Sequence, residues 1–213
     1  FPYTTLFRSN DFSSISDLLP LTGLTALKSL HLKGNKISTV SAGHQGEKTV
    51  FSDQLSYVDL SYNKVCGWEF VDSLPDVFPG MTALRMSHNP VYEAAVKPGD
   101  VMTSADEGYM LTLGRLANLK SLNFSTITPA ERTNAEIFYL SRIAKEMAAV
   151  PESEEGTVTR KHRRFSELCK IYEAPLVRRA EKAINPDLLE ARLIKFTFYL
   201  IGRASCRERV SLQ

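Results

Sequence analysis

The sequence predicts an α/β fold, a solenoid in which repeated units build a curved parallel sheet that a C-terminal helical cap closes. Three observations predict it. A short pattern of apolar residues recurs at spacings of 28 and 26 residues. An asparagine stands at the same place in three copies of that pattern. A fourth copy breaks off at Ile127 and gives way to a long helical pattern.

Four copies of the repeat align on their apolar positions, and they fit the leucine-rich repeat template, whose period is about 20–29 residues. We expect the apolar side chains to point inward from short strands and the asparagines to bond the backbone where each strand ends. Residues 10–127 are therefore predicted to be leucine-rich repeats. The aligned positions are Leu24, Leu27, Leu30, Leu32, Asn35 and Ile37; Leu55, Val58, Leu60, Asn63 and Val65; Phe78, Met81, Leu84, Met86, Asn89 and Val91; and Leu116, Leu119, Leu122 and Phe124.

Two segments interrupt the repeats. Residues 41–48 are polar and contain glycine, and residues 93–108 lengthen the spacing between the third and fourth copies. Both are predicted to be loops, because insertions in solenoids map to loops on the surface. Such a loop either touches a partner or is a tolerated piece of surface.

The break at Ile127 is predicted to end the repeats. Thr128 suits the N-cap of a helix, Pro129 suits its first position, and Glu131 can complete a capping box. The apolar stripe that follows predicts an amphipathic helix covering the open end of the repeats. Residues 128–175 are thus predicted to form a helical cap and a following helix, joined by an acidic linker at residues 151–157.

The two ends of the chain are expected to be sequencing-adapter artefacts. Residues 1–9 can be encoded by DNA whose reverse complement encodes residues 201–208, a relation that the ends of a natural protein have no reason to show. We therefore leave residues 1–9 and 201–213 out of the fold prediction. The chain has 26 Lys+Arg and 24 Asp+Glu, and the ends hold four arginines and one glutamate. The remaining charge is close to balanced, which indicates neither a nucleic-acid nor a membrane partner.

Side chains beside the inward positions are expected to face solvent on the concave side of the sheet. The candidate partner-binding residues there are His31, Tyr57, Asp59, Arg85 and Asn123. A mixed polar face with one aromatic suits recognition of a protein by a preformed sheet. It also suits an ordinary solvated surface, and the residues alone leave both interpretations open.

Two segments resemble the tubulin-folding cofactor E (tubulin-specific chaperone E) family. The cap resembles its pattern of a proline, then Glu-Arg, then an acidic-aromatic helix, and residues 164–175 resemble a second element of the family. Arg163 departs from that element by replacing a proline, and Glu173 with Ala174 stands where a glycine is usual. The matching residues are Pro129, Glu131, Arg132, Glu136, Tyr139, Arg164, Phe165, Leu168, Cys169, Tyr172 and Pro175.

The resemblance implies a longer protein with an N-terminal CAP-Gly domain and a C-terminal ubiquitin-like domain. Residues 176–200 would then be a linker and the expected first strand of the ubiquitin-like domain. It also implies a cytoplasmic, cytoskeleton-associated chaperone. Such a protein binds α-tubulin and acts with other tubulin-folding cofactors to assemble and take apart the αβ-tubulin heterodimer. The alternative is a generic leucine-rich repeat adaptor for protein–protein interactions.

An enzyme has little support in the sequence. No glycine-rich phosphate loop, zinc-ligand spacing or nucleophile elbow is present, and the four histidines lack an acid and a nucleophile that the sequence can place beside them. We therefore expect no catalytic residue, no cofactor, no metal ion and no small-molecule substrate. No apolar run approaches the roughly 20 residues that a membrane-spanning helix needs.

Overall fold

A computed structural model describes residues 4–40, 49–92 and 105–179, which fall almost entirely within one compact unit, Phe1–Arg178. The strands are β1 (Thr4–Leu6), β2 (Ser29–His31), β3 (Tyr57–Asp59), β4 (Ala83–Arg85), β5 (Ser121–Leu122) and β6 (Ser125–Thr126). The α-helices are α1 (Trp68–Val77), α2 (Ala105–Arg115), α3 (Pro129–Ala148), α4 (Glu155–Lys161) and α5 (Phe165–Tyr172). Short 3₁₀ helices span Ile15–Leu21, Pro90–Tyr92 and Glu152–Glu154.

The strands form a sheet in chain order, and β1 to β5 are parallel. Leu30 pairs with Val58, Val58 with Leu84, and Leu84 with Leu122, so one inward position repeats across four strands. All four side chains are buried in a single apolar core. The predicted leucine-rich repeat solenoid and its register are confirmed. Leu24 is an exception to the template, because about half of its side chain is exposed.

The three predicted asparagines form a hydrogen-bonded ladder. Asn63 Nδ2 donates to the carbonyl of Leu60 in its own repeat, at 3.0 Å, and to that of Leu32 in the preceding repeat, at 2.9 Å. Its Oδ1 accepts from the backbone N–H of Ile37 at 3.0 Å. Asn35 and Asn89 make the equivalent bonds. Each side chain thus pairs backbone groups that the turn would otherwise leave buried and unsatisfied.

The residue before each ladder position adopts a left-handed backbone. The φ angles are 74° at Gly34, 56° at Tyr62 and 57° at His88. Ser9, which precedes Asn10, follows the same rule with a φ of 55°. Glycine is the residue that adopts this conformation at least cost, so the two aromatic side chains occupy a position where glycine would be the unstrained choice.

Strand β1 comes from a segment that the sequence analysis excluded. Thr5 pairs with Leu30, and the backbone N–H of Asn10 donates to Asn35 Oδ1 at 3.0 Å. Leaving residues 1–9 out of the fold therefore missed a strand. The origin of this segment in adapter DNA is a separate matter and stays a prediction.

The sheet ends in a hairpin rather than in another full repeat. β6 pairs with β5 in the antiparallel sense, with Ser121 opposite Thr126. The expectation that Phe124 points inward is wrong, because its φ is 71° and 72% of the side chain is exposed. Ile127, which stands where the earlier copies have the ladder asparagine, packs against the apolar core.

Helix α3 begins as predicted. Thr128 accepts from the backbone N–H of Glu131, and the Glu131 carboxylate accepts from the backbone N–H of Thr128 at 2.8 Å. Helix α2 packs directly on α3, and Gly114 fits there because a Cβ would lie 2.5 Å from that of Tyr139. Helix α5 packs with its apolar side against a second, smaller apolar core, which includes Tyr139, Ile143 and Leu168.

Several boundaries differ from the predictions. Helix α2 begins at Ala105, so the predicted loop at residues 93–108 ends earlier than expected. The predicted acidic linker at residues 151–157 is a 3₁₀ turn leading into α4, since Glu155 starts that helix. The loop at residues 41–48, residues 93–104, the expected ubiquitin-like strand and residues 201–213 lie outside the described part of the chain.

Candidate partner-binding surface

The concave face is built by the strand positions that alternate with the buried row. On β2, β3 and β4 these outward positions are Ser29 and His31, Tyr57 and Asp59, and Ala83 and Arg85. Because the strands are parallel and in register, His31, Asp59 and Arg85 form one row across the sheet. Three of the predicted site residues are therefore neighbours.

Asp59 lies at the centre of that row and is fully buried. The expectation that it faces solvent is wrong, because its carboxylate is covered by the groups it binds. One oxygen accepts from the N–H and the hydroxyl of Ser61, at 3.0 and 2.5 Å. The other lies 3.1 Å from Arg85 Nη1 and 4.0 Å from His31 Nδ1. Asp59 therefore lies beneath the face and holds the side chains of Ser61 and Arg85 in place.

His31 and Tyr57 supply half-buried ring surface next to Asp59. Their ring centroids are 5.1 Å apart. Desolvation lowers the pKa of His31 below its usual value, and the neighbouring cations Arg8 and Arg85 add to that effect against the opposing pull of Asp59. Burial, and then the Asp59 charge, raise the pKa of Tyr57. At neutral pH both rings are thus uncharged, and they present a mainly apolar contact with polar edges.

Arg85 connects the row to the end of the sheet. Its guanidinium carbon lies 3.9 Å from the centroid of the Phe124 ring, a cation–π arrangement. Arg85 Nε is buried and has no hydrogen-bond partner among the described residues. The guanidinium is thus held between a buried carboxylate and an exposed aromatic ring.

Asn123 has a structural task that its predicted role did not include. Its φ is 50°, and its Oδ1 accepts from the backbone N–H groups of Met86 and Ser87 at 2.9 and 3.2 Å. The side-chain oxygen is therefore occupied by the preceding repeat, and Asn123 lies at the rim of the concave face.

Exposed aromatic residues at the carboxyl ends of the strands were not among the predicted site residues. Tyr62 is 46% exposed and stacks on His88 with ring centroids 4.2 Å apart. Lys33 Nζ lies 4.7 Å from the centroid of the Tyr62 ring. The signal that could have found them is their place in the repeat, because both rings stand directly before a ladder asparagine.

A second concavity, of about 450 Å³, lies between α1, the end of α2 and the residues that precede α5. Two of its arginines bind acidic residues of α1. Arg115 pairs with Asp72 at 2.5 Å, and Arg163 makes a two-pronged contact with Asp76 at 2.7 and 2.9 Å. Arg163 therefore fastens the start of α5 to α1 at the position where the resembled family has a proline.

Three of the residues that carry the family resemblance, Glu136, Arg164 and Tyr172, meet in one hydrogen-bonded network. Arg164 Nη2 lies 2.8 Å from Glu136 Oε1, and Arg164 Nη1 donates to the carbonyl of Gly114 at 2.7 Å. The Tyr172 hydroxyl donates to the other oxygen of Glu136 at 2.8 Å. Arg164 is only 8% exposed. The network holds α5 on α2 and α3.

Two more residues complete the attachment of the cap. Arg132 Nη1 donates to the carbonyls of Leu113 and Leu116, at 2.6 and 2.8 Å, which satisfies the C-terminal end of α2. His162 is buried between the Tyr139 hydroxyl at 2.9 Å and a Glu146 carboxylate oxygen at 3.0 Å.

The carboxyl end of α5 carries strain at one of the family departures. Glu173 has φ 66° and ψ 166°, a backbone region that is almost exclusive to glycine. A glycine, usual at this place in the resembled family, would adopt it without that cost.

Within the described ranges, no group of three or more His, Cys, Asp or Glu residues is placed to hold a metal ion. No helix in the same ranges is both long and apolar enough to cross a membrane. The described geometry thus offers a surface for contact and shows no metal centre.

Comparison with known proteins confirms the resemblance stated from the sequence. The chain is 25% identical over 198 residues to "Tubulin-folding cofactor E" of Arabidopsis thaliana, covering 91% of this chain and 35% of that protein. It is 28% identical over 178 residues to "Tubulin-specific chaperone E" of Homo sapiens, covering 78% and 32%, and 27% identical over 137 residues to that of Rattus norvegicus, covering 61% and 24%. The chain thus spans about a third or less of the length of these relatives. No protein-family model matches it.

Among solved structures, a chain of the Drosophila melanogaster SNF/U2A′ complex superposes with a TM-score of 0.47. It shares 21% sequence identity, and the match covers 64% of this chain and 67% of that one.

Proposed function

We propose that this chain is the repeat and cap region of a tubulin-folding chaperone, and that its concave face binds α-tubulin during assembly and disassembly of the αβ-tubulin heterodimer. One observation carries the proposal. The similarity to tubulin-folding cofactor E extends over 91% of the chain, through both the repeats and the cap. Repeats alone are shared by many adaptors, whereas the cap network of Glu136, Arg164 and Tyr172 is built from the residues that the resemblance singled out.

The geometry supports a binding role without chemistry by this chain. The face is held rigid from below, since Asp59 fixes Arg85 and Asn123 fixes the end of β4. Tyr57 and His31 present ring surface that needs little ordering when a partner binds, and rigid surfaces lose less entropy on association. We further propose a cytoplasmic, cytoskeleton-associated location and cooperation with other tubulin-folding cofactors, as the similarity suggests.

A capture experiment with purified α-tubulin tests the concave face. The double variant His31→Ala, Tyr57→Ala removes both rings while leaving Asp59 and Arg85 paired. We expect it to lose roughly tenfold or more in affinity, the size of effect typical when central aromatic contacts are removed. Ile137→Ala is the control, because its exposed side chain lies on α3 in the cap.

The outcomes separate the alternatives. Unchanged capture by a folded double variant would move the binding site away from this face. Failure of the wild-type chain to capture α-tubulin, with capture of an unrelated protein that the double variant loses, would favour the generic adaptor instead.

A further inference from the structure

We propose that the concave face recognises its partner through an acidic segment, which docks along a basic aromatic ridge at the carboxyl ends of the strands. The ridge consists of Lys33, Tyr62, Arg85, His88 and Phe124. This inference rests on the proposed function, because it names the kind of partner segment that the same face would bind. It shifts the main contact from the middle of the strands to their carboxyl ends.

Tyr62 and His88 share an unusual backbone conformation. Both stand at the left-handed position before a ladder asparagine, which Gly34 occupies in the preceding repeat. A non-glycine residue there costs about 1–2 kcal/mol. The two rings nevertheless stack on each other with planes 21° apart, and Tyr62 remains 46% exposed. Packing of the described core does not require these rings, so their exposed faces are available to a partner.

Arg85 and Phe124 form a second pair within the ridge. The hairpin of β5 and β6 turns Phe124 outward, so that 72% of this large apolar side chain is exposed. Its ring lies over the Arg85 guanidinium at 3.9 Å. A cation on an aromatic ring repeats at Lys33 and Tyr62, at 4.7 Å. The ridge thus offers the same combination twice, a positive group beside an apolar ring.

The described strands carry no exposed negative charge. Asp59 is the one carboxylate on the described strands, and it is buried under Arg85 and Ser61. The acidic residues Asp72 and Asp76 lie on α1, where they pair with Arg115 and Arg163. Charge complementarity therefore favours an acidic partner, because a basic one would meet Lys33 and Arg85 with no exposed strand carboxylate to bind.

A protein segment fits the ridge better than a nucleic acid does. Binding to a phosphate backbone depends on several neutralising contacts, typically from a stripe of Lys and Arg. The ridge supplies Lys33 and Arg85 only, and Asp59 already neutralises part of the Arg85 charge. An extended peptide with alternating carboxylates and apolar groups would use both its cations and its rings.

Fluorescence anisotropy with defined probes tests the proposal. The probes are a labelled twelve-residue peptide of alternating Glu and Leu, its Lys–Leu counterpart and a single-stranded oligonucleotide of the same length. We expect the Glu–Leu peptide to bind the whole chain most tightly, with affinity falling as salt is raised. Equal or tighter binding of either other probe would overturn the proposal.

Two variants and a control locate the site. In Tyr62→Gly, His88→Gly the rings are lost, while glycine suits the left-handed backbone, so folding should be kept. Lys33→Glu reverses one charge. Each should weaken binding of the Glu–Leu peptide roughly tenfold. Lys120→Glu makes the same charge change at an exposed position before β5 and should alter affinity less than about twofold. Equal loss in all three would show a non-specific charge effect and overturn the ridge.

Capture of α-tubulin distinguishes this inference from the proposed function. If the glycine double variant captures α-tubulin as well as wild type does, while the His31 and Tyr57 variant does not, the proposed function stands and the ridge is overturned. If no variant and no wild-type chain captures α-tubulin but the Glu–Leu peptide binds as expected, the ridge stands and the proposed function is overturned.

Discussion

The repeats and the cap bury polar groups in two different ways. In the repeats, each neutral side-chain amide of the ladder pairs backbone groups of two neighbouring turns, as Asn63 does with Leu32 and Leu60. In the cap, charged side chains bind one another instead, and Arg164 contacts Glu136 directly at 2.8 Å. In the repeats the same backbone geometry recurs, so one neutral residue type can satisfy it each time. The junction of α2, α3 and α5 occurs once in the molecule.

The two regions are therefore vulnerable to different substitutions. The repeats depend on a continuous apolar core, so a single buried charge should damage all of them. The cap depends on pairs of charges, so removing one partner should hurt more than removing both. Trp68 packs against the apolar cores of both regions and is the single tryptophan of the chain. Its fluorescence therefore reports on the contact between the repeats and the cap.

The largest effect is expected from Leu60→Asp in the repeats. Leu60 is fully buried in the core, and an unpaired carboxylate there costs more free energy than a typical domain of this size can lose. We expect the variant to lose its cooperative thermal transition in circular dichroism. Leu24→Asp is the matched control, because Leu24 is 48% exposed and the same change should cost below about 1 kcal/mol. A wild-type melt for Leu60→Asp would refute the register.

The next effect is expected from Arg164→Met in the cap. The change leaves the Glu136 carboxylate buried with Tyr172 as its remaining partner and takes a donor from the carbonyl of Gly114. We expect a loss of about 3–5 kcal/mol in the free energy of unfolding, measured by urea titration of Trp68 fluorescence.

A double variant sharpens this test of the cap. Arg164→Met with Glu136→Leu removes both charges, and we expect it to be more stable than Arg164→Met alone. If the two single costs simply add, the ion pair is not the element that holds α5, and the contrast with the neutral ladder fails.

The smallest effect is a difference in the pH at which the two regions weaken. Desolvation holds the pKa of His31 below 6.5, so its contribution on the concave face is present above that pH and is lost as pH falls through the lowered pKa. In the cap, the hydrogen bond from His162 lowers the pKa of Glu146, and the bond from Arg164 lowers that of Glu167. Their contributions are present above pH 4.5 and are lost as pH falls through the lowered values. Burial raises the pKa of Asp72, which acts in the opposite direction.

Unfolding measured at a series of pH values should show both windows. We expect His31→Asn to flatten the dependence just below pH 6.5 and Glu146→Gln to flatten it below pH 4.5, each by less than about 1 kcal/mol because these side chains are partly exposed. Identical pH profiles for the two variants would contradict the separation of the regions.

Sequence reasoning succeeded where one local rule determines the structure. The spacing of leucines placed Leu30, Val58, Leu84 and Leu122 in register, and the asparagine positions gave the ladder. The capping box of Thr128 and Glu131 fixed the start of α3 because both partners lie within one turn.

Sequence reasoning failed where a contact joins distant parts of the chain. Asp59 is an outward position on its strand, and only Arg85 and Ser61 together explain why it is buried. Phe124 occupies an inward slot of the template, but the chain reverses into β6 after Leu122 and turns the ring outward. The burial of Arg164 could not be predicted from its neighbours in the sequence, because its partner Glu136 is 28 residues earlier in the chain.

The hairpin at the end of the sheet has a consequence for assembly. A parallel strand at the margin of a sheet leaves a row of backbone donors and acceptors that can recruit further strands. Here the margin of β5 is taken up by β6, and Ile127 with the start of α3 follows immediately. A further parallel repeat cannot pair with β5 without first opening the hairpin, and the outer edge of the sheet at this end is the two-residue strand β6. The number of repeats is therefore fixed at this end by covalent continuity with the cap.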